Sequence, residues 1–426
     1  MTNTLLTSDI ILKEALMHLE NELVISKVCN RDYEAAFANS AGMAGKPGDT
    51  IRIRKPVRGV VRVGSTMQVQ DVQEGKTTLA TTTQIGADLE FSSTDLTLRI
   101  EDFGTRYLRP QMIKLANKID LDVMTELVTH CPNWQGTPGQ TVNSFSDYAL
   151  GPQRLDELAV PTNDRAGILS PADYWGTVGS VTALSADAPV RSALQRSSLG
   201  RYANTDTYMT QNIVSQTVGT WGTSPVMTVA SGVQSTTYAA VMGNNYSEQT
   251  INISGLTAST GTIVAGDVFT ISSVFAVNPI TLATQAFLRQ FCVVTGATAD
   301  ASGNATITIT PPIIPVSNTT PPATGSQYAT VNAAPAAGAA ITVKGTASTS
   351  YPQNIVLNPD AVTLAVVPLI RPQGAVKVET QTYKGISMRL ITGYDITNDL
   401  SPWRFDILYG FRATQPNLAC RLSGTA

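Results

Sequence analysis

Histidines, cysteines and clustered charges are the side chains that could carry chemistry in this 426-residue sequence. The two histidines, His18 and His130, each lie within a predicted helix, which favours packing or surface roles over a general base or a multi-histidine metal site. The neighbouring pair His130 and Cys131 has no second pair to complete a zinc site. The sequence therefore predicts no metal ion, no other cofactor and no catalytic residue.

The remaining signals for chemistry are also weak. The four cysteines are far apart and show no CxxC spacing, so neither a disulfide framework nor a zinc ribbon is indicated, and a reducing compartment is expected. The stretch GMAGKPGDT lacks the GxxxxGK[ST] spacing of a phosphate loop, and a proline follows Lys46 where a helix should begin. No GxSxG motif occurs, so a hydrolase is the third-ranked class, behind a structural protein and a binding protein.

One charged segment stands out, an extended excursion with a basic outgoing arm at 49–63 and an acidic return arm at 71–102. The basic arm lacks the interleaved aromatics that stack on bases, so pairing with carboxylates of the return arm or of another subunit is favoured over nucleic-acid binding. A merely solvated charged ribbon remains open, because exposed ion pairs are individually weak. The candidate inter-subunit contacts are Arg52, Arg54, Lys55, Arg58, Arg62, Glu74, Asp88 and Glu90.

The amino-acid composition argues against net-charge-driven binding of nucleic acid and against membranes as partners of this chain. With 42% hydrophobic residues, 14% charged residues and a net charge of −3, the chain is expected to fold in water and not to bind nucleic acid through net charge. The N-terminus lacks a basic segment followed by an apolar run, and the longest apolar stretch is too short to cross a bilayer. Neither export nor a membrane partner is predicted.

Two helices and an α/β layer are expected to position the charged excursion. From Ser8 onward, apolar residues recur at helical spacing as far as Leu23, which predicts an amphipathic helix. A longer helix is predicted after Pro110, with Met112, Ala116, Ile119, Val123 and Leu127 on one buried face, ending at Pro132. Helical and strand-like patterns alternate over 145–200, which is typical of an α/β layer.

A separate domain is predicted where the composition changes near residue 205. Only six charged residues occur between Thr205 and Ser350, and short β-branched runs alternate there with Gly, Pro and Asn, the pattern of an all-β sandwich or barrel. The charges and the α/β character return after 350. The β-domain is therefore expected to interrupt an outer domain.

Three local motifs, together with this order of segments, resemble one known family. LSPADYWGTV at 169–178 resembles a strand followed by the "NPxDY" helix start of tailed-phage major capsid proteins of the Hong Kong 97 fold. DILYGFRATQPNLACRLSG at 406–424 resembles the closing strand and tail of short-tailed phage coat proteins that carry an inserted domain, and QNIVLNPDAV at 353–362 resembles the strand that re-enters after the insertion.

The resemblance implies an α+β Hong Kong 97-like capsid fold, with an N-arm, an extended β-loop, a spine helix, a central α/β domain and an all-β inserted domain. The implied bounds are 1–45 for the N-terminal arm, 46–102 for the extended loop, 103–135 for the peripheral domain with the spine helix, 136–221 and 351–426 for the central domain, and 222–350 for the inserted β-domain.

The resemblance also implies assembly without catalysis. The chain would be a major capsid protein that forms pentamers and hexamers of an icosahedral shell around packaged double-stranded DNA, bound without sequence specificity. Its implied partners are further copies of itself, a scaffolding protein and a portal, and it would assemble in the host cytoplasm and reside in the virion. Two alternatives stay open: an encapsulin-like nanocompartment shell, and a β-rich adhesin or carbohydrate-binding protein.

Overall fold

A computed structural model describes most of the chain. The described residues are 8–34, 37, 50–59, 64–65, 67, 75–92, 104–182, 200–222, 228–229, 248–316, 326–372 and 377–425. Within them the fold mixes helices with a larger share of strands, which confirms the α+β class. The α-helices are α1 (Ser8–Glu22), α2 (Ile25–Val28), α3 (Arg109–His130), α4 (Phe145–Glu157) and α5 (Pro171–Thr182), with a π-helical turn at Gly104–Leu108.

The strands of the described residues fall into six sheets, three of them two-stranded. In chain order they are β1 (Thr50–Arg54), β2 (Lys76–Ala80), β3 (Thr83–Ser92), β4 (Asn133–Gln135), β5 (Ala166–Leu169), β6 (Arg201–Tyr202), β7 (Thr205–Met209), β8 (Ser215–Thr217), β9 (Thr228–Val229), β10 (Gln249–Ser254), β11 (Thr262–Ile263), β12 (Val268–Val277), β13 (Thr284–Thr295), β14 (Ala297–Thr298), β15 (Ala305–Thr310), β16 (Ile341–Val343), β17 (Ser350–Pro352), β18 (Asn354–Leu357), β19 (Thr363–Val367), β20 (Lys377–Tyr383), β21 (Ile386–Thr392), β22 (Leu400–Arg412) and β23 (Ala419–Leu422).

The chain divides into two compact units. The first unit comprises Met1–Ile51, Leu79–Val123 and Val362–Arg412, and the second comprises Arg52–Thr78, Met124–Ala361 and Ala413–Ala426. Each unit takes residues from segments that are distant in sequence, so neither corresponds to a single continuous stretch of chain.

A five-stranded sheet forms the first unit. Strands β19, β22, β21 and β20 follow one another in that order, and β3 also pairs with β22. Helix α1 contacts β20 and β21 with the apolar face that the sequence pattern predicts. That face is buried along its whole length, at Ile11, Leu12, Ala15, Leu16, Leu19 and Leu23.

The long helix α3 confirms the second helix prediction. Its five predicted core residues are each 2% exposed or less, and Pro110 lies in its first turn. Asp120 on this helix is also buried, and it accepts hydrogen bonds from Val24 N at 2.9 Å and from Ser26 Oγ at 2.6 Å. The carboxylate thus satisfies donors at the start of α2, where the first backbone N–H groups of a helix lack internal partners.

A mixed six-stranded sheet lies in the second unit, in the order β4-β23-β18-β5-β7-β6. The motif at 169–178 begins α5 with a reciprocal cap: Asp173 N donates to Ser170 Oγ at 3.2 Å, and the Ser170 hydroxyl donates to the Asp173 carboxylate. Asp173 also accepts from Val142 N at 2.6 Å and from Asn354 Nδ2 at 2.9 Å. The motif therefore joins the helix start to the strand β18 that re-enters after the insertion.

The β-domain is a six-stranded antiparallel sheet in the order β16-β12-β13-β15-β10-β9, also within the second unit. Strands β8 and β17, which precede and follow this sheet in sequence, pair with each other. Ser215 lies opposite Pro352, and Thr217 lies opposite Ser350. The apolar core of the six-stranded sheet includes Trp134, Trp221 and Tyr351, which lie outside the predicted bounds of 222–350. The apolar core of the β-domain therefore includes aromatic side chains from the chain on both sides of 222–350.

Two further differences from the sequence analysis concern the outer segments. Residues 362–412, assigned there to the central domain, group with 79–123, because β22 pairs with β3 over ten residues from Leu400↔Ser92 to Tyr409↔Thr83. Residues 83–92 of the return arm are therefore paired within their own chain and do not need another subunit to complete the sheet. After residue 350 the described chain contains strands and 3-10 turns instead of the α/β alternation expected there.

Candidate inter-subunit surface

The base of the charged excursion is a two-stranded sheet made of β1 and β2. Along β1 the side chains alternate: Arg52 and Arg54 are exposed, whereas Ile53 is buried. This alternation follows from the period of two in a strand and leaves a basic outer face. Beyond the strand, Lys55 N donates to Gly75 O at 2.9 Å, which continues the pairing of the two arms by one residue.

Lys55 and Arg58 differ in their surroundings. Lys55 is only 8% exposed, although the sequence suggested an exposed contact residue, and it lines a cavity in the second unit. Arg58 is exposed, and its backbone N–H donates to the Tyr328 hydroxyl at 3.2 Å. This bond anchors the outgoing arm against the second unit, so the last described part of the arm has a defined path.

The acidic candidates Asp88 and Glu90 lie on β3 in the first unit, and both are exposed. The antiparallel register places Asp88 opposite Arg404 and Glu90 opposite Pro402 on β22. The pKa of the Arg404 guanidinium is raised, mainly by its hydrogen bond to Asp406, with a smaller contribution from the charge of Asp88. Asp88 therefore has a basic cross-strand neighbour within its own chain. Arg62 and Glu74 lie outside the described residues.

Arg421 is a structural group that the sequence analysis did not single out. It is fully buried on β23 and donates from Nη1 to Gly266 O at 2.8 Å and from Nη2 to Cys292 Sγ at 3.1 Å and to Val128 O. The guanidinium thereby joins the end of α3, the β-domain and the C-terminal strand, all within the second unit. Its sequence context, a lone arginine among small apolar residues, is the only signal that could have marked it.

His130 and the four cysteines lie in the packed interior of the protein. His130 is 5% exposed, with Nδ1 at 2.9 Å from Glu126 O. All four cysteines are buried free thiols, and burial raises the pKa of Cys292 to about 12. Across the described ranges, no group of three or more His, Cys, Asp or Glu side chains could hold a metal ion. The helices in those same ranges include none long and apolar enough to cross a membrane.

Similarity to known proteins was found in both sequence and structure. A model of the family "P22 coat protein - gene protein 5" matches residues 1–424. The major capsid protein of Acyrthosiphon pisum secondary endosymbiont phage 1 is 21% identical over 431 residues, covering 98% of this chain and 97% of that protein.

Solved structures with similarity include one from Mycobacterium phage Che8, at 12% identity and a TM-score of 0.44, covering 94% of this chain and 90% of that one. The CUS-3 coat protein I-domain is 30% identical, with a TM-score of 0.20, and the match covers 29% of this chain and 97% of that one. The assignment rests on the family match, which takes in both units and the β-domain: the chain belongs to the P22 coat protein family.

Proposed function

We propose that this coat protein builds its shell from pentamers and hexamers around packaged double-stranded DNA, with a scaffolding protein and a portal as assembly partners in the host cytoplasm. Its family is one of structural capsid proteins, so the chain is a shell subunit and its place is the virion. The family match over residues 1–424 carries this conclusion. It also favours a phage coat over the encapsulin-like shell and over the β-rich adhesin.

For the division of the subunit into domains, we propose that the peripheral part consists of helix α1, the sheet of the first unit and the start of α3. The mixed sheet with α4 and α5 would form the central part. The inserted domain is best bounded by the β8–β17 pair, at Ser215 and Pro352, because Trp221 and Tyr351 belong to its core. A chain of 215–352 should therefore melt more cooperatively than one of 222–350.

We propose further that the exposed basic face at Arg52, Arg54 and Arg58 pairs with the exposed carboxylates Asp88 and Glu90 of a neighbouring copy, with Arg62 and Glu74 extending the same contact. The exposure of these side chains and their opposite charges support this proposal. Each such pair contributes about 0.2–1 kcal/mol, so the contact becomes effective only through repetition over many identical interfaces.

Charge reversal tests this surface. The triple variant Arg52→Glu, Arg54→Glu, Arg58→Glu should remain a soluble, folded subunit but fail to form closed shells in electron micrographs and sedimentation. A charge-matched control reverses three exposed cations elsewhere, Arg201, Arg371 and Lys377, and should still assemble. Mixing the triple variant with Asp88→Lys, Glu90→Lys subunits should restore shells. Closed shells from the triple variant alone would refute the assignment.

A further inference from the structure

A cavity of about 350 Å³ in the second unit is not explained by the proposed shell contacts, although Arg58 of the basic face is one of its lining residues. It lies where the outgoing arm after β1 meets the turn after α4 at 158–160, the β12–β13 turn at 279–280, the segment after β15 and the segment 415–418 before β23. Arg289 on β13 and residues 328–330 also line it, so several separate parts of the chain converge on one space, which is large enough for a small organic group or an amino-acid side chain.

The charges around this cavity are of one sign. Lys55, Arg58 and Arg289 line it, and none of the described residues that line it is an aspartate or glutamate. Burying a cation such as the Arg289 guanidinium without a carboxylate partner is unfavourable unless hydrogen bonds or a counter-ion compensate. Arg289 therefore has a local charge imbalance that a bound anion would relieve.

Arg289 shows the imbalance most clearly, because it is only 4% exposed. Its Nη2 donates to Asn417 Oδ1 at 2.6 Å, a neutral acceptor, while its Nε is buried with no hydrogen-bond partner in the described part of the chain. Burial, followed by the nearby charge of Arg154, lowers the pKa of Arg289 to about 10. At neutral pH the guanidinium is still charged, and one of its donors is unused.

The rest of the lining is largely apolar. Leu158, Val160, Pro312 and Ile314 contribute hydrocarbon surface, and Ile280, which is 75% exposed, also lines the cavity. A carboxylate matches a guanidinium in charge and shape, and an apolar body matches these walls. We propose that this cavity is a binding site for a carboxylate carried on an apolar group, with Arg289 as its buried anchor and Arg58 as its accessible second cation.

The carboxylate could be a free small molecule or an acidic side chain of a second copy of this chain, since both present the same chemistry. The first arm of the test addresses the site itself, using isolated wild-type subunits with 4-phenylbutyrate as the probe and its uncharged amide, 4-phenylbutyramide, as the matched control. Saturation-transfer NMR should show the carboxylate binding at least tenfold more tightly than the amide.

Variants test whether Arg289 and Arg58 are responsible for the preference for the carboxylate. Arg289→Gln and Arg58→Gln should each reduce the preference for the carboxylate to less than twofold. Lys76→Gln, which removes an exposed cation from β2 outside the cavity, should keep the full preference. If Arg289→Gln fails to fold, Arg58→Gln still tests the proposal, because the Arg58 side chain is exposed. Equal binding of acid and amide to the wild type, or an unchanged preference in folded Arg58→Gln, would overturn the proposal.

The second arm compares isolated subunits with assembled shells and rests on the proposed shell function. If a neighbouring copy supplies the carboxylate, probe binding should fall at least tenfold on assembly. If the ligand is a free carboxylate, shells and subunits should bind the probe equally. Either result supports the site, whereas loss of carboxylate binding from isolated subunits contradicts it. Because the first arm needs no shells, a failure of assembly leaves the test of the cavity intact.

Discussion

Asp406 in the first unit and Asp267 in the β-domain are both buried carboxylates, each 1% exposed, but their partners differ in kind. Asp406 accepts from Arg389 Nη2 at 2.7 Å and from Arg404 Nε at 2.8 Å, both on its own sheet. Asp267 accepts from neutral donors: Trp221 Nε1 at 2.8 Å, Val264 N at 3.0 Å and Gly219 N at 3.1 Å.

The difference reflects composition. The first unit has Arg389 on the adjacent strand β21 and Arg404 on the same strand, so these arginines can balance the charge of Asp406. The β-domain has almost no cations, and Asp267 is stabilised by the dipoles of N–H groups from the chain that leads into the domain. One carboxylate stabilises strand pairing, and the other fastens the start of the inserted segment to its sheet. Loss of each should therefore have different consequences.

The largest expected effect is that of Asp267→Ala. The substitution leaves the indole N–H and two backbone N–H groups buried without their acceptor, at about 1–3 kcal/mol for each unsatisfied group. We expect hydrogen exchange to show the free energy of opening of β10, β12 and β13 falling by about 3–5 kcal/mol, with the first unit unchanged. Asp206→Ala, at an exposed strand position, is the control. It should change the free energy of opening of these strands by less than about 0.5 kcal/mol. Equal losses in the two variants would show that Asp267 is not a structural anchor.

A smaller effect is expected from acid on Asp406. Burial raises the pKa of this carboxyl, but the hydrogen bonds from Arg389 and Arg404 outweigh burial, so the net pKa is lowered. A pKa below the unfolded value gives stability that is present above the unfolded pKa and is lost as pH falls through the folded pKa. We expect wild-type protection of β21 and β22 to fall between about pH 5 and pH 2, a window that begins about one pH unit above the ordinary aspartate pKa of about 3.9 and extends below it.

The variant Asp406→Asn isolates this contribution, because other carboxylates also titrate in that range. It should be less stable than the wild type at pH 7 by about 1.5–3 kcal/mol, the range for hydrogen bonds to charged groups, and the difference should shrink as the pH falls. A constant difference from pH 7 to pH 2 would mean that the ion pairs around Asp406 contribute no pH dependence.

An ion pair in the first unit with an exposed lysine should matter less. Lys118 Nζ lies 2.6 Å from Asp122 Oδ1 one turn along α3, and the lysine side chain is 53% exposed. Such a helical pair contributes about 0.3–0.5 kcal/mol, so Lys118→Met should lower the unfolding free energy by no more than that, and 1 M NaCl should remove the difference. Lys114→Met, at an exposed position one turn earlier, serves as the control. A loss above about 1 kcal/mol for Lys118→Met would contradict this estimate.

Thiol reactivity compares the two regions without changing the stability of either. Burial is the main cause of the raised pKa of both Cys29 in the first unit and Cys292 in the β-domain. Because the thiolate is the reactive form, native subunits at pH 8 should react with a thiol reagent at least about 100-fold more slowly than unfolded ones. Asp267→Ala should speed the labelling of Cys292 and leave that of Cys29 unchanged. Labelling of both at one common rate would show that the two regions open together.

Several elements were predictable because their signals are local. The apolar spacing over 11–23 and 112–127 predicts the buried faces of α1 and α3, and both are buried as expected. The β-branched runs after residue 249 predict strands, and β10, β12, β13 and β15 lie at those runs. The β-domain was visible from its scarcity of charge. The predicted basic arm also has its arginines exposed at 52, 54 and 58.

Contacts between residues that are distant in the sequence could not be predicted from such local signals. No local pattern indicates that β3 pairs with β22 more than 300 residues later, that Trp221 and Tyr351 complete the β-domain core, or that Lys55 is buried. The sequence by itself determined the helices α1 and α3 and the main strands of the β-domain, because side-chain period and backbone propensity act over a few residues. Only the tertiary structure decided which carboxylates and cations meet, because that depends on how distant segments pack, and the packing brings Arg289 to a cavity lined by three cations.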